Sequence, residues 1–182
     1  MSEPVVPTVP PAQPEMGALP EIDFDGEVDA LLAALSVADE SSWQPLQQKI
    51  MALWARSESA AMTFLLSRAT RAMEAGEHED ALEFLDDLVR LAPDFAEAWN
   101  RRATVHFMME NYGPSVADIQ RTLALEPRHF GALAGLGIIL DRLDQDAQAL
   151  QVFRRALEIH PHLQGAKEAV ERLSPEVDGR EL

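Results

Sequence analysis

Five histidines, His78, His106, His129, His160 and His162, are the side chains of this sequence best suited to hold a metal or move a proton. A zinc site needs several ligands converging at fixed spacing, such as two His at i and i+4 on one helix with a third ligand close by. No pair of these histidines has that interval, and His160-Pro161-His162 reads as a turn. Cysteine is absent, which removes thiolate ligands, disulfides and thiol nucleophiles. The strained serine elbow, the phosphate-cradling loop and the dinucleotide glycine pattern are absent too. Gly135-Leu136-Gly137 falls inside a helical pattern rather than after a strand. Carboxylates are abundant, but they lie on polar helix faces and none stands out as an acid–base pair. The sequence therefore predicts no enzyme, no metal and no cofactor. What remains to carry function is the surface that its helices build.

Those helices are marked by three prolines, Pro93, Pro127 and Pro161, each 34 residues after the last. They follow apolar-periodic stretches that end alike: LVRLAPDF, TLALEPRHF and ALEIHPHL. Proline disfavours a helical residue ahead of it and so ends each helix. A period of this length is the signature of stacked helix–turn–helix units. Residues 62–95, 96–129 and 130–163 form three such pairs, and the amphipathic stretch 164–173 reads as a capping helix within a domain spanning 60–173. Residues 174–182 read as a polar C-terminal tail.

Upstream of the repeats the composition shifts. Residues 1–20 hold six of the twelve prolines, and residues 1–48 hold nine acids with no Lys or Arg. Proline without a hydrophobic period cannot bury enough surface to offset the entropy of ordering, so residues 1–26 read as a disordered, acidic, Pro-rich tail. PxxP spacing occurs there without a flanking base, and a linker or tail is the preferred reading. From about Glu27, Val28, Leu31, Leu32 and Leu35 share one helical face. A second helix begins near Ser42, with Pro45 in its first turn, where a missing N–H does no harm. Counting back by the repeat interval places this 27–59 pair in register with the stack, as a degenerate unit closing its N-terminal end. The net charge of −16 disfavours nucleic-acid backbones and anionic membranes as partners. No apolar run reaches the length of a membrane span, and no secretory leader opens the chain. The expected location is cytoplasmic, or periplasmic if a signal peptide preceded this sequence.

The repeats resemble the tetratricopeptide repeat family. The family pattern asks for a bulky residue early in the first helix, which Leu65, Trp99 and Leu133 supply. It asks for a small residue a turn later, met by Ala69, Ala103 and Gly137. It asks for a small residue in the second helix where the axes cross, met by Ala81, Ser115 and Ala149. Helices approach closely only where side chains shrink and a large neighbour fills the gap. Leu88 and Thr122 depart from the pattern where a second small residue is usual, and the glycine ending the first helix survives only as Gly76. The resemblance implies an all-α, right-handed superhelical stack of antiparallel helix pairs.

It also implies a concave groove lined by the first helices that receives a peptide or partner segment. On the helical wheel the lining residues are Leu66, Thr70 and Met73, then Asn100, Arg101, Thr104 and Phe107, then Ala134, Ile138 and Asp141, with Gly131 and Gly135 leaving space. Asn100 and Arg101 are the expected ligand-holding groups, since arginine grips a carboxylate at two points; the competing reading pairs Arg101 and Arg102 with nearby acids such as Glu97. Family members that clamp a C-terminal carboxylate use several Lys, Arg and Asn side chains. The matching positions here hold Leu66, Thr70, Arg101, Gly131 and Gly135, so that ligand is not expected. The expected function is a protein–protein interaction adaptor. The alternative is a structural module that self-associates into a homo-oligomer through exposed faces such as Trp54 or Phe153.

Overall fold

The computed structural model describes residues 24–57 and 59–179, and all its regular structure is helical. Nine helices follow one another among the described residues: α1 Phe24–Ser36, α2 Trp43–Trp54, α3 Ala60–Ala75, α4 His78–Leu91, α5 Ala96–Met108, α6 Tyr112–Leu125, α7 Phe130–Arg142, α8 Asp146–Ile159 and α9 Gln164–Asp178. The expected disordered N-terminal tail lies outside them over residues 1–23, and α1 starts three residues before the boundary read from the sequence.

From α3 onward the expected pairing holds. α3 packs on α4, α5 on α6 and α7 on α8, and each pair stacks on the next. The small residues at the crossings, Ala69, Ala81, Ala103, Ser115 and Ala149, are all buried. Ser115 Oγ donates to the Ala103 carbonyl at 2.8 Å, which shows how tightly α5 and α6 approach. Gly137 is required by the Phe153 ring, because a Cβ there would lie 2.6 Å from Cε1. Leu88 and Thr122, the two departures from the family pattern, are fully buried without breaking the stack. Each first helix ends in a left-handed residue: Gly76 at φ 74°, Glu110 at φ 59° and Asp144 at φ 55°. Glycine takes that conformation freely, whereas the other two carry a steric penalty.

The N-terminal pair departs from expectation. It does not close the end of the stack, since α2 lays no extended face along α3. The hairpin instead lies across the turns that join successive repeats. Ala55, just past α2, touches the α3–α4 core. Further along, the Trp54 ring stacks on His129 at 4.2 Å, and Trp43 stacks on His162 at 5.6 Å. Val28, Leu32, Leu35 and Ile50 close over Phe130 of α7. Polar contacts follow the same line: Arg128 donates to Asp29 at 2.6 Å, His160 bonds Gln47 at 2.6 Å and His162 meets the Ala38 carbonyl at 2.7 Å. The physical reason is composition. Inside the array Arg102 of α5 reaches Asp86 of the preceding second helix at 2.8 Å. The residue 34 positions before Asp86 is Ala52, and α2 offers Lys49 but no carboxylate. Its tryptophans find aromatic partners on the turns instead.

Two further expectations are corrected. α9 does not stop at residue 173 but continues through Pro175 to Asp178, and Val177 packs on the α8–α9 cluster to support the extra turn. Nor do Trp54 and Phe153 offer faces for self-association. Phe153 is 2% exposed, filling the space beside Gly137, and Trp54 is half-buried with His129 and Phe130 against its ring.

Candidate functional site

The stack leaves a groove along the first helices α5 and α7 and along α9. Between α5 and α7 lies a cavity of about 240 Å³, bounded by Asn100, Thr104, Phe107, Gly131, Ala134, Gly135 and Ile138. Between α7 and α9 lies one of about 520 Å³, bounded by Ala134, Ile138, Asp141, Gln164, Glu168 and Arg172 among others. Ala134 and Ile138 line both, so the two cavities are adjoining parts of one trough. Gly131 and Gly135 keep the α7 wall low, and Ile138 stands 41% exposed between the cavities.

The trough is bounded by two polar arrangements. At one end Glu97, buried in the first turn of α5, accepts from Arg101 Nε at 2.7 Å, from Asn100 Nδ2 at 3.2 Å and from His129 Nε2 at 3.2 Å. His129 Nδ1 accepts the Ala132 amide at 3.1 Å and caps α7, so the hydrogen on Nε2 is the one facing Glu97. Burial alone would raise the Glu97 pKa. The hydrogen bond from His129 and the charge of Arg101 outweigh it and hold the carboxyl below its ordinary value. At the other end Arg142 lies 4.7 Å over the Phe107 ring and donates to Tyr112 Oη at 2.9 Å. Arg172 closes on Asp141 at 2.6 Å, tying α9 to α7.

Six of the residues expected from sequence therefore line the trough: Asn100, Thr104, Phe107, Ala134, Ile138 and Asp141. The other four stand elsewhere. Leu66 is buried in the α3–α5 core, and Met73 is half-buried against it. Thr70 donates to the Leu66 carbonyl at 2.8 Å and accepts from Arg101 Nη1 at 3.2 Å. Arg101 is thus committed to Glu97 and Thr70, as the competing ion-pair reading had it. The same reading holds for Arg102, which grips Asp118 with Nε at 2.8 Å and Nη2 at 2.7 Å. Sequence reasoning missed the α9 wall, Gln164, Glu168 and Arg172. The signal was available: Ala166 and Leu173 stand 34 residues after Ala132 and Ile139, which puts α9 in the register of a first helix. Among the described residues no group of three or more His, Cys, Asp or Glu side chains is placed to hold a metal, and no helix is long and apolar enough to cross a membrane.

The family model described as tetratricopeptide repeat matches residues 66–113 and 109–163. The chain belongs to the tetratricopeptide repeat family. A TPR repeat-containing protein of Rhizobium etli is 40% identical over 141 residues, covering 78% of this chain and 69% of that relative. Anaphase-promoting complex subunit 3 of Schizosaccharomyces pombe is 30% identical over 86 residues, which are 47% of this TPR chain and 13% of that subunit. Among solved structures, MamA aligns with TM-score 0.62 at 21% identity, over 87% of this chain and 81% of MamA. The first TPR of Spaghetti (RPAP3), bound to the HSP90 peptide SRMEEVD, aligns with TM-score 0.63 at 17% identity, over 66% of this chain and 96% of that one. At those identities the two structures establish the shared fold.

Proposed function

We propose that this TPR protein is a protein-interaction module that seats an apolar peptide segment in the trough along α5, α7 and α9. The observation that carries the reading is the low, glycine-opened α7 wall, with an adjoining cavity on each side of Ile138. The smaller cavity has room for one or two aliphatic side chains. Asn100 donates its amide to Glu97 and keeps its carbonyl oxygen to accept a peptide N–H. A TPR neighbour of the same fold carries a peptide, which supports the general mode. The ligand chemistry differs from a chain-terminal carboxylate. Of the positions that would clamp one, Arg101 alone is basic, and Glu97 and Thr70 occupy it. An internal segment with a large aliphatic residue fits the lining better.

The test is selection of a displayed random 12-residue peptide library on the full chain, followed by amide-shift mapping of the enriched peptides. Enriched sequences should carry a recurrent Leu, Ile or Met, and their shifts should fall on α5, α7 and α9. Ile138→Arg, at an exposed position, should weaken binding at least tenfold while leaving the thermal melt in place. Peptides whose shifts fall elsewhere, or that bind Ile138→Arg equally well, defeat the proposal.

A further inference from the structure

We propose that the N-terminal end face of the array, on α3 and α4, is a second docking site that takes an acidic amphipathic helix from another protein. The face is recognised by comparing it with its own copies inside the chain. Ala98 of α5 and Ala132 of α7 stand 34 and 68 residues after Phe64 and are 0% and 1% exposed. Ala98 packs among Leu85, Leu88 and Val89 of the preceding second helix, and Ala132 packs beside Ile119 of α6. At α3 the same position is Phe64, an aromatic ring left 62% exposed. Arg71 repeats the pattern: its counterparts Val105 and Ile139 are fully buried, whereas it faces solvent. A surface that is interior in two repeats is left uncovered by the described residues, because the N-terminal hairpin lies on the turns and not on α3.

The chemistry of the missing occupant can be read from the internal copy. Arg102, the counterpart of Arg68, binds Asp118 in its own repeat and Asp86 on the preceding second helix. In the first repeat Phe84 replaces Asp118, and Arg68 lies 5.1 Å over that ring. Among the described residues neither Arg68 nor Arg71 meets a carboxylate. Two arginines beside two phenylalanines suit a helix with carboxylates along one edge and an apolar stripe next to it. The chain's own α2 fails that description, since it carries Lys49 and no acid. A second copy joined face to face would set these arginines against their own equivalents, which like charges disfavour.

The probe is a helix-stabilised peptide of residues 77–92, EHEDALEFLDDLVRLA, the segment that fills the equivalent place beneath α5. Added to the full chain, it should shift the amides of Phe64, Arg68 and Arg71. The exposed double substitution Arg68→Glu with Arg71→Glu should weaken it at least tenfold without moving the thermal melt, as should Asp86→Lys in the peptide. Ile138→Arg in the trough should leave it unchanged, which separates this site from the groove. No shift at millimolar peptide, shifts confined to the trough, or indifference to charge reversal would overturn the proposal. So would a reversible dimer in sedimentation that the double substitution dissociates, because the occupant would then be a second copy.

Discussion

Lowering the pH from 7 to 5 should cost this protein about 2 kcal/mol of stability through His160 alone. The ring is fully buried beneath the hairpin. Its Nδ1 accepts the His162 amide at 3.3 Å, its Nε2 donates to Gln47 Oε1 at 2.6 Å, and it meets the Phe130 ring edge-on at 5.1 Å. Nδ1, the nitrogen that would take the ring's second proton, already faces the His162 N–H, and Trp43 packs beside the ring at 5.4 Å. Burial, with His162 and Lys167 near, pushes its pKa from 6.5 down to about 4. Above pH 6.5 the ring is neutral in both the folded and the unfolded chain, and stability is full. Between 6.5 and 4 the unfolded chain takes up a proton that the folded chain refuses, so stability falls as pH falls, and below 4 the loss levels off. Each tenfold drop in the proton affinity of the folded ring costs about 1.4 kcal/mol, giving roughly 3 kcal/mol in all, of which about 2 falls between pH 7 and pH 5. Glu97 acts lower: its depressed pKa supports the fold above the ordinary carboxylate range and is lost as pH falls through the folded value. Urea unfolding followed by circular dichroism at pH 7, 6 and 5 measures the effect. In His160→Gln the dependence over that span should shrink to a few tenths of a kcal/mol, even if the variant starts lower. A His160→Gln chain that loses as much as the parent between pH 7 and 5 would refute the reasoning.

Gly137→Ala should destabilise the array by about 1–3 kcal/mol, because its Cβ would collide with the Phe153 ring, and Phe153→Leu in the same chain should recover part of the loss in a double-mutant cycle. Glu110→Gly and Asp144→Gly should each raise stability by up to about 1 kcal/mol, since both residues hold a left-handed backbone that glycine adopts without penalty. The two sites end different first helices, so thermal melts of the double variant should show near-additive gains.

How far the structure was legible follows from the range of the forces involved. The stack from α3 onward could be read because each pair repeats the same small-to-large contacts within 34 residues, and prolines mark the ends. The trough could be read in part: once the resemblance puts the first helices on the concave side, helical spacing points to Asn100, Thr104, Phe107, Ala134, Ile138 and Asp141. Leu66 lies in the buried cluster shared by α3, α4 and α5, and nothing in its own helix announces that burial. The seat of the hairpin was out of reach for a stronger reason. It rests on pairs such as Trp54 with His129, Asp29 with Arg128 and Gln47 with His160, far apart in the chain and with no period to announce them.

That seat bears directly on the trough. In a linear array each repeat touches only its neighbours, and the spacing between first helices is free to change with curvature. Here the hairpin bonds two successive turns at once, through Asp29 and Trp54 to residues 128 and 129 and through Gln47 and Trp43 to residues 160 and 162. Those turns are where α7 and α9 begin, at Phe130 and Gln164, and the larger cavity lies between these two helices. Arg172 and Asp141 fix the same two helices further along their length. The wall spacing of the trough is therefore set at both ends by contacts outside the repeat motif. Under the proposed peptide-binding function, walls held at both ends would favour discrimination by side-chain size at Ile138.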